Sequence, residues 1–286
     1  MAGRFQHGLA AWMTPPVAWR VARLSTDMIR ILVGDNLLLS IQSGLFTHLC
    51  ISESMHPRTE TRKTMAVTRK HHPIFARFYA WTSPAMERAG VAEHRRRLLA
   101  GLSGRVIEVG AGNGMNFMHY PPEVTSVLAV EPEQHLRDIA RHTARDAPVK
   151  IEVVDGVAEH LPADDEAFDA AVASLMLCSV PDQRLALGEM YRVIRPGGQL
   201  RFFEHVRADT PGLQRVQRLL DATIWPVVFG GDQTGRDTAT AIAAAGFTIE
   251  SIDRFRFPEE RITLPSSPHI LGMASRPGPV PDPDQA

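Results

Sequence analysis

With 286 residues, 44% of them hydrophobic and 22% charged, the chain has the makeup of a folded globular protein long enough to bury a full core. Its 31 basic and 32 acidic residues almost cancel, so there is no cationic surplus to hold a nucleic-acid backbone, and nucleic acid is not an expected partner. Two cysteines, Cys50 and Cys178, are too few for a disulfide framework or a cysteine-based zinc site; no metal is expected, and a reducing, cytoplasmic setting suits them.

Residues 1–64 show no sustained period of 3.6 or 2. The apolar stretch at 28–51 is interrupted by Arg30, Asp35 and His48, and its longest uncharged run is 12 residues, short of the roughly 18 that a spanning helix needs. It lies too far along the chain for a signal peptide. The segment reads as a poorly ordered extension or as sequence ahead of a start at Met65. A membrane-interfacial stretch through residues 28–51 is the third reading, favoured by seven Arg and Lys against four Asp and Glu over 1–64, and it would make the protein membrane-associated.

From residue 65 to 276 the pattern is that of one domain. Helical stretches at 74–86 and 91–102 lead into short apolar strands at 105–109, 124–130, 150–154, 168–173 and 199–203. Helices at 132–145 and 181–194 alternate with them, the second capped by Asp182 and stopped by the turn 195–198. Such alternation implies βαβ units, hence a parallel sheet covered on both faces. A single helix is expected over 213–229, with Leu219, Leu220, Ile224, Trp225 and Val228 on one apolar stripe. A helix at 238–245 precedes two strands at 248–255 and 269–275 that are linked too briefly for a crossover, so they should form an antiparallel hairpin. The Pro-rich run 276–286 is expected neither to pair nor to pack, leaving 277–286 as a disordered tail.

The first strand runs directly into Gly110-Ala111-Gly112-Asn113-Gly114. Glycine belongs where the backbone turns sharply and a ligand comes close. Glu108 is a carboxylate inside an apolar strand, costly if unpaired, and a strand end facing a ligand amine or an ordered water would accommodate it. Glu131 ends the second strand 19 residues after Gly112, the spacing at which a carboxylate reaches ribose hydroxyls. A dinucleotide fingerprint would place its third glycine at position 115, where this chain has Met115, and S-adenosylmethionine (SAM) is the preferred ligand. A dehydrogenase is the weaker alternative.

Five segments, VIEVGAGNG, VEPE, DGVAEHLP, FDAAVASLMLCSVPD and YRVIRPGGQLRFFEHV, stand in the order of the class I SAM-dependent methyltransferases, which the chain resembles over about residues 74–275. The closest resemblance is to the branch acting on quinols, phospholipid amines and thiols, including the alkyl-thiol methyltransferases, whose animal members carry an N-terminal membrane segment. It implies a Rossmann-like, seven-stranded, mostly parallel α/β sheet with helices on both faces and the antiparallel C-terminal hairpin. It also implies SAM as cofactor and a small-molecule methyl acceptor.

Carried over by residue, the resemblance makes Glu108, Gly110 and Gly112, with Ala111 and Gly114 in the same loop, the floor under the methionine moiety. Glu131 would take the ribose and Pro132 would flank the adenine. Ala158 and Glu159, in a GVAE run where GDAE is common, would meet the adenine edge, and Ser174 and Leu175 would lie by the sulfonium. Tyr79 is either a lid contact or plain helix packing. Asp232 stands where the thiol-methylating relatives tend to have cysteine, which weakens transfer of their specificity.

Methyl transfer needs positioning, and it needs a base only if the acceptor must lose a proton. His205, at the end of the fifth strand, is the candidate base; the alternative is a histidine simply hydrogen-bonded at a strand terminus. Glu204 and Cys178 stand at the same strand ends as further candidates; Glu204 is equally a structural partner for an arginine, and Cys178 either touches the acceptor or, more simply, packs as a small hydrophobe. Trp225, Phe229, Asp232 and Arg236 would line or close an acceptor pocket. A SAM- or nucleotide-binding protein without turnover is the alternative to an enzyme, and a nucleic-acid methyltransferase lacks the Asn-Pro-Pro-aromatic run that engages a flipped base.

Overall fold

The computed structural model describes residues 73–223, 225–258 and 264–278. The readings made for residues 1–64, for Ile224 and for the tail beyond 278 lie outside them. Among the described residues no helix is long and apolar enough to cross a membrane.

Seven strands form one sheet: β1 (Gly104–Val109), β2 (Val124–Val130), β3 (Ile151–Val154), β4 (Phe168–Ser174), β5 (Ile194–His205), β6 (Thr248–Arg256) and β7 (Pro268–Ser275), in the order β3-β2-β1-β4-β5-β7-β6. The first five are parallel, and β7 inserts antiparallel between β5 and β6, giving the expected hairpin. Helices α1 (Pro73–Met86), α2 (Ala92–Leu99), α3 (Gln134–Thr143), α4 (Gln183–Val193), α5 (Pro211–Asp221), α6 (Trp225–Val228) and α7 (Thr238–Ala244) complete the domain.

Successive strand residues face opposite sides, so the sheet has two cores. Ile107, Val109, Leu200 and Phe202 pack with Leu187 and Met190 of α4 and Ile242 of α7. Val106, Val172 and Phe203 pack with Leu98 and Leu99 of α2 and Ala140 of α3 on the other side. The chain leaves β1 toward β2 and β3, then returns to β4 on the other flank. The carboxyl ends of β1 and β4 therefore frame the crevice where open α/β sheets bind ligands.

Four expectations need correction. The helix at 213–229 is two pieces, because Pro226 lacks an N–H and restricts Trp225 before it; α5 stops at Asp221 and α6 is a single turn. Leu219 is 66% exposed rather than core, and the buried side chain of α5 is Gln217, which donates to the carbonyls of Val206, Thr234 and Pro265 and accepts from Ala208 N. The segment 195–198 does not simply end a helix. β5 already starts at Ile194 opposite Phe168, and residues 195–198 form an irregularity within it, with Gly197 at φ +78°. Arg276 does pack: its guanidinium donates to Tyr191 O and Ile194 O, pairs with Glu166 and lies 4.7 Å over the Tyr191 ring.

Candidate cofactor and acceptor site

The loop after β1 bends with Gly110, Gly112 and Gly114 all at positive φ, the region that favours glycine. A Cβ at Gly110 would lie 2.7 Å from Met176 Cβ, and one at Gly112 3.2 Å from the Tyr79 ring, so the loop is pressed between those two side chains. Gly110 N and Ala111 N both donate to Val130 O, fastening the loop to the end of β2.

Glu131 completes that end. One carboxylate oxygen accepts from Gly112 N at 2.8 Å and the other from Glu133 N at 2.9 Å. Burial pushes its carboxyl pKa up, and the two backbone N–H groups oppose the rise. Arg137 braces the same corner, bonding Glu131 O and pairing with Asp155 at 3.1 Å. Pro132 lies half-buried beside Glu131. Ala158 is buried, and Glu159 accepts from Asp182 N at 3.2 Å, tying the GVAE turn to the start of α4. Asp182 caps that helix through Leu185 N, as expected.

Glu108 departs from expectation: it is met by the protein's own side chains and not by a ligand amine or an ordered water. It accepts from Asn116 Nδ2 at 2.9 Å and from Tyr120 Oη at 2.7 Å. Burial pushes its pKa up to about 7 against those hydrogen bonds and the nearby Arg95. Arg95, itself buried, donates to Glu87, to Asn116 Oδ1 and to Ser174 Oγ, drawing the end of β4 into the same network. Burial works against its charge, but Tyr79, Glu87 and Glu108 outweigh it and raise its pKa. Leu175, the next residue after β4, sits at φ +56°, an uncommon conformation for a branched side chain at the mouth of the crevice.

Arg95, Asn116 and Tyr120 were not singled out from the sequence. Arg95 stands in a run of three arginines whose other two are exposed, and no local pattern separates it from them. The one usable signal was the buried carboxylate of Glu108, which had to find donors somewhere.

The ends of β4 and β5 hold a second group. Among the described residues Glu204 pairs no arginine; its carboxylate accepts from the backbone N–H groups of Met176, Leu177 and Cys178, fixing the loop that packs on Gly110. Burial raises its pKa against those three donors. His205 Nε2 meets Asp232 Oδ1 at 2.9 Å. Trp225 Nε1 donates to Asp232 Oδ2 at 2.9 Å, so Trp225 is held by its polar edge, with Phe229 4.2 Å away ring to ring. Arg236 is spent on Leu177 O and Val180 O. Cys178 is buried as expected, with Ser179 Oγ 3.6 Å from its sulfur, and burial pushes its thiol pKa well up.

The residues present fit SAM. The glycine loop turns at positive φ after β1 with Tyr79 over Gly112, and the buried carboxylate of Glu131 stands at the end of β2. Comparison with known proteins agrees. A family described as a methyltransferase domain matches residues 107–202. The thiol S-methyltransferase TMT1A of Homo sapiens is 33% identical over 182 residues, covering 61% of this chain and 72% of that protein. The ubiquinone/menaquinone biosynthesis C-methyltransferase UbiE of Rhodopseudomonas palustris is 32% identical over 118 residues, 41% of this chain and 44% of that protein. A solved SAM-dependent methyltransferase of Thermotoga maritima shares the fold, with a TM-score of 0.53 at 23% identity over 71% of this chain and 98% of that one. The chain belongs to the class I SAM-dependent methyltransferases. Within that class it is an enzyme of the small-molecule branch with SAM as its methyl donor.

Proposed function

We propose that this enzyme methylates a small apolar acceptor, a thiol, quinol or lipid amine, by in-line displacement. The observation that carries the reading is the convergence of two groups on the segment after β4. Met176 packs on the glycine loop, and Glu204, beside His205, holds the backbone of Met176, Leu177 and Cys178. SAM supplies an electrophilic methyl group whose bonding pair returns to sulfur. The glycine loop, Glu131, Pro132, Ala158, Glu159, Ser174, Leu175 and Tyr79 would hold it, and His205 would take the acceptor's proton. The named activities of TMT1A and UbiE support thiols and quinones as the first acceptors to try.

The test is transfer of radiolabelled methyl from SAM to separate pools of alkyl thiols, quinols and phospholipid amines. Label in one pool is the expected result. SAM binding without label in any pool would overturn the proposed acceptor set. Membrane contact through residues 28–51 is part of the same proposal, and cosedimentation of the full chain with anionic vesicles checks it.

A further inference from the structure

Among the described residues, one set of side chains brings sulfur, nitrogen and oxygen donors together away from the cofactor loop. The sulfur of Cys178, an imidazole nitrogen of His205 and a carboxylate oxygen of Asp232 lie within 4.8 Å of one another. Each of the three residues is more than nine-tenths buried. We propose that they form a binding site for one zinc-class divalent cation, and that loading it withholds His205 from the acceptor. The second half rests on the proposed role of His205, and the first stands without it.

Donor chemistry selects the ion. Thiolate, imidazole and carboxylate are the side-chain ligands of zinc, whereas magnesium and calcium take oxygen alone. The count of two cysteines excludes a cysteine-based site, but a mixed set needs only one. At zinc's bond lengths of about 2.0–2.3 Å, a tetrahedron separates its ligand atoms by about 3.3–3.6 Å. His205 Nε2 and Asp232 Oδ1 stand 2.9 Å apart, so an ion between them needs an opening of a few tenths of an ångström. Ser179 supplies a further oxygen, its Oγ lying 3.6 Å from the Cys178 sulfur and 3.4 Å from Asp232 Oδ1. Ser179 is only half-buried, and it marks the side from which an ion enters.

The segments that carry the ligands are interlocked. Glu204, next to His205 on β5, accepts from Cys178 N. Gln233, next to Asp232, donates its backbone N–H to Cys178 O at 3.0 Å, and Arg236 binds Leu177 O and Val180 O. Trp225 Nε1 holds the second oxygen of Asp232 and leaves Oδ1 toward the ring. Ligands oriented by such outer partners need little rearrangement on loading. Charge agrees with the assignment. Thiolate and carboxylate together cancel the two positive charges of the ion, and Glu204 and Asp221 add negative potential at the ring.

Loading expels the thiol proton to water, and the sulfur's freed pair binds the ion. Once Nε2 is a ligand, the proton of the neutral ring lies on Nδ1, and neither nitrogen has a lone pair left for an acceptor's proton.

The full chain is incubated with zinc or cobalt, desalted, and analysed for metal content and absorption, with magnesium as the oxygen-seeking control. One zinc per chain is expected, undisplaced by excess magnesium. The cobalt form should show a near-ultraviolet thiolate-to-cobalt band, retained in Cys50→Ser and lost in Cys178→Ser. Outer partners of a metal site cost about 10–100-fold in affinity when removed. Cys178→Ser and His205→Gln, which remove ligands themselves, should each weaken zinc by about 100-fold or more in competition with a chelator. SAM affinity on the same samples reports that the variants are folded, and the cobalt band of Cys50→Ser assigns the sulfur to Cys178 with the site intact. No retained zinc, or a cobalt band that survives Cys178→Ser, would overturn the site. Methyl transfer should fall as zinc loads and return when a chelator removes it. An undiminished rate in the loaded enzyme would overturn the withholding of His205. A chain that labels no acceptor pool would overturn that second half together with the role of His205, while the cobalt band and zinc content decide the site.

Discussion

Removing the Glu131 carboxylate takes the acceptor away from Gly112 N and Glu133 N together, and it strips the end of β2 of the charge proposed to meet the ribose. Hydrogen bonds to charged groups contribute about 1.5–3 kcal/mol, so Glu131→Ala is expected to weaken SAM binding roughly 10- to 100-fold with the far-ultraviolet circular dichroism unchanged. Unchanged affinity by calorimetry would take Glu131 out of the ribose role. Glu108 makes a different prediction. Its carboxyl rises from 4.5 to about 7 on folding, so between those values the folded protein holds more protons than the unfolded chain. Stability therefore falls as pH rises through that window and levels off above 7, by about 3 kcal/mol at most. Glu108→Gln should flatten the slope, read from urea unfolding between pH 4.5 and 8. Parallel slopes in the two proteins would show that Glu108 does not supply it.

Elements show where side-chain type predicts placement and where it does not. The strands around the cofactor loop were legible because buried parallel strands are short apolar runs, and the loop because its positive-φ backbone favours glycine. The spacing from Gly112 singled out Glu131, which the structure places against the loop through Gly112 N. The Arg95–Asn116–Glu108–Tyr120 network was not, because its members come from three elements and meet only after the sheet forms. On α5 the apolar stripe pointed the wrong way: Leu219 faces water, while Gln217, fully buried, joins four backbone groups from three separate segments. Local periodicity cannot reveal that loop carbonyls need a donor. Gln217→Leu is accordingly expected to cost about 2–4 kcal/mol in chemical denaturation, and Leu219→Ser less than about 0.5 kcal/mol. The reverse order would restore the apolar reading of α5.

At the scale of the molecule, the cofactor end is assembled from pieces far apart in sequence: Tyr79 on α1, Arg95 on α2, the loop after β1, Glu131 after β2 and Ser174 at the end of β4. The doubly wound order of the sheet brings them together where the chain crosses from the β1–β3 flank to β4. A ligand that touches all of these pieces binds the folded state and not the unfolded one, so its binding free energy adds to stability. At a SAM concentration 100 times its dissociation constant that addition is about 2.7 kcal/mol. For a domain of this size each kcal/mol is worth roughly 2–4 °C, so SAM should raise the melting temperature by about 5–11 °C, climbing with the logarithm of its concentration. Glu131→Ala should show the same climb displaced to higher SAM, because the assembly is intact and only one of its contacts is gone. A melting temperature indifferent to millimolar SAM would mean that the ends of β1, β2 and β4 do not close on the cofactor together.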